Sequence, residues 1–244
     1  MTELQKRNAI RLYFTPFPKW SLGFIVFGTL CLLPGGGTGL VLGVLFVGVG
    51  AAVLFVRARG IGDAEFDRYR DEDLRNAAAK AVQRWGIDES DLVGKPVRVF
   101  GPALGATSTQ AAKKGADRFI RFNPIRFAVL GFCEHQLLAY LGVLDMVTGN
   151  VLLEETEEYF YRDVVAVATK TDSIEFTHKG TLHQLNDTQT FVLTTSGATS
   201  IRVPLRSLQL ASILGGGEMP TTQAEEAIAA VRAMLRQKKS GVPI

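Results

Sequence analysis

Between Ser21 and Val56 the chain runs for 36 residues without one charged side chain. As a single helix that run would rise roughly 54 Å, against a hydrocarbon core of about 30 Å. The tetrapeptide Pro34-Gly35-Gly36-Gly37 interrupts it, and proline and clustered glycines end helices and permit tight turns. Cut there, the run gives two apolar segments, Phe17 to Leu33 and Gly39 to Val56, each near the lower limit of about 17 residues for crossing a bilayer. The pattern predicts a membrane hairpin, with everything beyond Arg57 attached to it.

The flanks set its expected orientation. Residues 1–19 carry Lys6, Arg7, Arg11 and Lys19 against Glu3 alone, and Arg57 and Arg59 follow the second segment, while the turn between the segments is uncharged. Lysine and arginine bias toward the cytoplasm places both termini inside. Phe14, Phe17 and Trp20 suit an interfacial aromatic belt. A signal peptide also begins basic and then apolar, but here the apolar sequence continues into a second segment without a small-x-small cleavage site. No Asp, Glu, Lys, Arg or His interrupts the run, so no proton relay or ion site is indicated. Gly35, Gly39 and Gly43 recur at four-residue spacing, a stripe that lets helices approach closely. It fits packing inside one hairpin or between protomers.

With the hairpin set aside, the remainder has ordinary soluble composition. A net charge of +3 is too small to argue for nucleic acid. Cys31 and Cys133 lie outside any Cys-x-x-Cys or zinc spacing and read as packing residues of a reducing compartment. His135, His178 and His183 form no ligand cluster; the last two flank Lys179-Gly180 and read as solvated turn residues.

Three regions are expected: 1–60 with the hairpin, 61–95 with one helix, and 96–244 as a β domain. Phe66, Tyr69, Leu74, Ala77, Ala81 and Trp85 recur at three- and four-residue steps, with Asp63 able to cap the start and Gly86 the end. The opposite face is charged, which predicts a solvated helix projecting from the membrane. Pro96 to Phe100 reads as a strand, and residues 101–115 as a loop with no phosphate-binding glycine pattern. From Asp117 the chain turns β-rich. Phe127 to Leu144 can be read as a third membrane helix, but Glu134-His135-Gln136 and the glycines at 131 and 142 favour strands turning at polar residues. Glu154, Glu155, Glu157 and Glu158 suit a charged edge strand. Thr190–Leu193 and Ile201–Leu205 flank a hairpin turn, and Thr222 to Lys238 is an amphipathic helix with Ala224, Ile228, Val231 and Leu235 on its apolar stripe.

Strands, then Tyr161-Arg162-Asp163-Val164-Val165-Ala166-Val167, then a late hairpin and one closing helix resemble the pleckstrin-homology-like domains of bacterial membrane proteins, over Phe119 to Lys239. The resemblance implies a seven-stranded bent sheet plugged by the last helix, on a bacterial inner-membrane protein. It further implies a binding or scaffold module without catalysis. No phosphoinositide-binding signature carries over.

The basic residues Lys113, Lys114, Arg118, Arg121 and Arg126 cluster ahead of the acidic strands, with Asp117 the lone acid from Pro96 to Leu130. They are candidate contacts to anionic lipid, each able to contribute about 1 kcal/mol near the surface. The fold class expected is thus α+β: a two-helix transmembrane hairpin, a cytoplasmic helix, and a bent antiparallel sheet closed by a C-terminal helix. The function expected is a scaffold or accessory subunit of a membrane complex, with the bilayer and other membrane proteins or itself as partners and no cofactor. The alternative is a homo-oligomeric channel whose glycine-rich second helix lines the pore. An enzyme ranks third, since no nucleophile–base pair or metal cluster is visible.

Overall fold

A computed structural model describes residues 2–16, 18–33, 37–58, 60–105, 111–178, 181–219 and 224–239. Among these, six helices and three antiparallel sheets make a mixed α+β protein that divides into two compact units, Met1–Phe66 and Asp67–Ile244.

The first unit is helical. Helix α1 (Glu3–Phe14) opens with a capping box, in which Thr2 and Gln5 satisfy each other's backbone amides. Helices α2 (Lys19–Leu32) and α3 (Gly37–Ala58) pack antiparallel, so that Gly50 lies against Ser21, Gly43 against Gly28, and Gly39 against Cys31. Helix α4 (Asp63–Trp85) begins in this unit. Its Phe66 stacks on Tyr13 at 4.9 Å between ring centroids, and the Tyr13 hydroxyl donates to Asp63 Oδ1 at 2.7 Å. Asp63 is therefore the first helical residue, tied to α1 by its side chain. The C-terminal expectation is met: Gly86 follows at φ +67°, a left-handed position where glycine carries no Cβ penalty.

In the second unit, strands β1 (Val97–Pro102), β4 (Ile125–Phe132), β5 (Gln136–Leu144) and β6 (Val151–Phe160) form a sheet in the order β1-β4-β5-β6. A short hairpin pairs β2 (Ala111–Lys114) with β3 (Ile120–Asn123). Strands β7 (Val164–His178), β8 (Thr181–Thr195) and β9 (Ser200–Arg206) make the third sheet. Helices α5 (Leu208–Ile213) and α6 (Ala224–Lys239) follow.

The apolar stretch from Phe127 to Leu144 is two central strands, turning at Glu134-His135, with the Cys133 amide bonded to the Gln136 carbonyl. It reads as continuously hydrophobic because both its faces are covered. On one face Ala128, Leu130, Leu137, Ala139 and Leu141 join Phe191, Leu193 and Val203 of the third sheet and Ala227, Ile228 and Val231 of α6 in the main core. The predicted stripe of α6 is the buried one; the expected start at Thr222 lies outside the described residues.

The opposite face is covered by α4, which corrects the expected solvated helix. Trp85 lies over Gly131, where a Cβ would stand 2.7 Å from the indole, and its Nε1 donates to the Ala139 carbonyl at 3.2 Å. Leu74, Ala77 and Ala81 are buried with it. Gly101 serves the seam between the sheets: a Cβ there would stand 1.8 Å from the Pro204 carbonyl oxygen, so only glycine admits β9 so close to β1.

Three more expectations are corrected. Residues 101–115 are not all loop, since β2 forms within them. Strands β7 and β8 each run 15 residues, and β8 extends far beyond the expected Thr190–Leu193. Their distal halves leave the main core: Phe176 and Leu185 pack with Ile120, Phe122, Leu104, Leu210 and Ala211 in a separate cluster. His178 and His183 lie on this extension, where His178 stacks on Phe176.

Candidate functional site

Among the described residues, two surfaces are candidates to carry function. The first is the outside of the α2–α3 pair. Helix α3 contains a 20-residue span, Gly37–Val56, apolar and long enough to cross a membrane. Its side chains are not those of a buried core helix: Val41 is 63% exposed, Val44 59% and Leu45 54%. Val26, Phe27 and Leu30 continue the exposed apolar surface on α2. Helix α2 is shorter than the sequence expectation. At 14 residues it rises about 21 Å, against about 33 Å for the 22 residues of α3. Among the described residues, α3 alone is both long and apolar enough for a full crossing.

The glycines face inward, between these two helices. A Cβ on Gly39 would stand 2.7 Å from the Cys31 carbonyl oxygen, and one on Gly43 would stand 2.6 Å from Leu32 and 2.8 Å from the Gly28 carbonyl. Gly39 and Gly43 therefore pack within one chain, leaving that stripe occupied. Gly35, the third residue of the expected stripe, lies outside the described residues. Sequence reasoning missed Gly28 and Gly50, which complete the contact: Gly50 meets Ile25 and the Ser21 carbonyl. Their signal is the seven-residue step from Gly43 to Gly50, two helical turns along the same face.

The second surface is the β2–β3 hairpin with its basic residues. The structure does not bring the five candidate lipid contacts together. Lys114 and Arg118 are exposed and Lys113 half-buried on this hairpin, with the Lys114 ammonium donating to the Gly215 carbonyl. Arg118 occupies the turn at φ +71°. Arg126 projects from β4 and donates to the Arg202 carbonyl at 3.2 Å.

Arg121 is the correction. It is 3% exposed and grips two carboxylates at once. Its Nε and Nη2 donate to Asp67 at 3.0 and 2.6 Å, and its Nη1 and Nη2 donate to Asp117 at 2.9 and 2.6 Å. A guanidinium suits this task because its planar fork offers parallel donors to each carboxylate. Arg70 extends the cluster, donating to Asp67 and Asp71 and lying over the Phe100 ring. So Arg121 locks α4 to the β2–β3 hairpin and is withdrawn from any lipid surface. Asp117, the lone acid noted in the basic stretch, was the sequence clue to this pairing.

The Arg121 hydrogen bond holds the Asp117 carboxyl down at about 2, from its ordinary 3.8. A carboxyl depressed in the folded state stabilises the fold above its unfolded value, and that contribution fades as pH falls from about 4 toward 2. Asp117→Asn is therefore expected to lower stability at neutral pH and to flatten the acid limb between those values. Acid titration of the two proteins by circular dichroism checks this; parallel acid limbs would contradict it.

Comparison with protein-family models, with curated proteins and with solved structures gives no match for this chain. The assignment of function therefore rests on the geometry of these surfaces.

Proposed function

We propose that this is a membrane-anchored protein that displays a β-sheet interaction module, working as a scaffold or accessory subunit of a membrane complex. The observation that carries the reading is the exposed apolar surface of α3. Large aliphatic side chains around a 20-residue helix are costly in water, at about 25 cal/mol for each Å² of apolar surface, and cost nothing in lipid. A solvated role for α3 would leave Val41, Val44 and Leu45 in water without return.

In this reading α3 spans the bilayer and α2 returns beside it as the shorter arm of a hairpin. A short arm is accommodated by local thinning and by flanking residues that reach the interface. Lys19 can snorkel and the half-exposed Trp20 can sit among headgroups at the start of α2. The basic flanks then put both termini on the cytoplasmic side of a bacterial inner membrane.

The module itself fits a pleckstrin-homology-like domain. Four strands and three strands in two sheets, with α6 packed into the core between them, support that reading. The β2–β3 hairpin and the long β7–β8 extension are additions to it. Lys113, Lys114 and Arg118 remain as the cations of this module that can meet anionic lipid.

Reporter fusions test the topology. Fusions at Met1 and at Ile244 are both expected to report cytoplasm. An exported signal from the C-terminal fusion would overturn the hairpin and the placement of the module.

A further inference from the structure

Strand β6 forms one edge of the four-stranded sheet, and among the described residues no strand pairs with its outer side. Its sequence, Val151-Leu-Leu-Glu-Glu-Thr-Glu-Glu-Tyr-Phe160, places four glutamates at the centre of the strand. Natural edges are kept short or guarded by charged side chains, proline or bulges, and the glutamates and bulge of β6 guard it against unselective pairing. This one is ten residues long and carries exposed apolar residues at both ends: Leu152 and Leu153 at one, Phe160 at the other. A bulge opposite Gly142 sets Leu153 at φ +51°, which leaves its side chain in solvent.

The carboxylates between these ends say what can pair there. Glu154 is already engaged, accepting from Lys80 and Arg84 of α4. Glu155 and Glu158 are exposed, and Glu157 accepts from the Tyr159 hydroxyl. The run Glu154-Glu-Thr-Glu-Glu158 reads the same in both directions. Two-fold antiparallel pairing of β6 with β6 of a second copy, centred on Thr156, would set Glu155 against Glu157 and Glu154 against Glu158. Like charges directly opposite one another destabilise a sheet. The edge thus rejects its own copy by charge and matches a strand of opposite sign.

The geometry points to β6 as a docking edge for an extended segment of a partner protein, basic at its centre and apolar at its ends, which adds as a fifth strand beside β5 and β6. Main-chain hydrogen bonds would supply affinity, and the alternate side chains would supply specificity. This deepens the scaffold reading by naming the partner's chemistry. It does not depend on the bilayer, so a failure of membrane anchoring and a failure of this edge show up in different assays.

The test uses the full chain in mild detergent and a labelled synthetic peptide, acetyl-Leu-Val-Lys-Lys-Thr-Lys-Lys-Val-Leu-amide. Its own palindromic charge places lysines opposite the carboxylates in either strand direction. Fluorescence anisotropy is expected to show saturable binding. Affinity should fall at least about tenfold with the doubly substituted Glu155→Gln/Glu158→Gln chain. It should fall as much with a peptide N-methylated at alternate residues, which keeps its charge and loses the donors of one edge. Circular dichroism verifies that the substituted chain is folded. The absence of saturable binding would overturn the proposal. Equal binding of the N-methylated peptide would also overturn it, leaving charge attraction alone. So would a dimer that the peptide dissociates, because the edge would then belong to a second copy.

Discussion

Replacing Trp85 by Ala is expected to cost about 3–5 kcal/mol of unfolding free energy, the range for truncating a large buried aromatic. The indole fills the space above Gly131, which Leu92 also borders, and its N–H satisfies the Ala139 carbonyl of a central strand. Truncation opens a cavity between α4 and the four-stranded sheet and removes a buried hydrogen bond. Gln83→Ala, on the exposed face two residues away, is expected to stay within about 0.5 kcal/mol. Denaturant unfolding followed by far-ultraviolet circular dichroism distinguishes the two. If α4 were an independent solvated helix, both substitutions would cost little, and amide exchange in β4 and β5 would not change. Loss of exchange protection in those strands on Trp85→Ala is the signature of a helix that belongs to the β module.

The second large effect concerns α3. Leu45 and Val49 lie one turn apart on its exposed surface, near the middle of the span. Arginine at the centre of a membrane helix costs about 2.5–3.5 kcal/mol on insertion scales. Leu45→Arg with Val49→Arg should therefore oppose insertion by roughly 5–7 kcal/mol on the same scale, enough to move the chain out of the membrane fraction. The sign of the effect makes this informative. If α3 stood in water, the same arginines would replace exposed aliphatic side chains and would improve solubility. Both substitutions point away from the Gly28 and Gly43 contact, so the α2–α3 pairing itself is left in place.

Much of the fold was legible, and the gaps have physical causes. The C-terminal end of helix α4 was legible because its apolar period is helical and Gly86 ends it in the left-handed region. What covers its buried face could not be read, because periodicity reports that a face is buried and not by what. The two central strands were legible from polar residues placed between apolar runs. The length of β7 and β8 was not, since their distal halves alternate with polar residues and bury only a few positions such as Phe176 and Leu185. The basic stretch misled for a different reason. In sequence, a lysine bound for solvent and an arginine bound for a buried clamp look alike, and Arg121 is told apart only by Asp67, 54 residues away. The glycine stripe was half legible: Gly39 and Gly43 stood out at four-residue spacing, while Gly28 and Gly50 needed the antiparallel pairing to place them. For the hairpin, the break was visible but the unequal arms were not, because an apolar run does not show where its helix begins. Helix α2 starts only at Lys19 and ends at Leu32.

Alkaline carbonate washing of membranes from cells that express the full chain tests the anchoring most directly, because it strips peripheral proteins and leaves integral ones. The chain is expected to remain in the membrane pellet after the wash, while the Leu45→Arg/Val49→Arg chain is recovered outside it. Release of the unsubstituted chain into the supernatant would contradict the account, and the apolar surface of α2 and α3 would then have to be covered by protein instead of lipid.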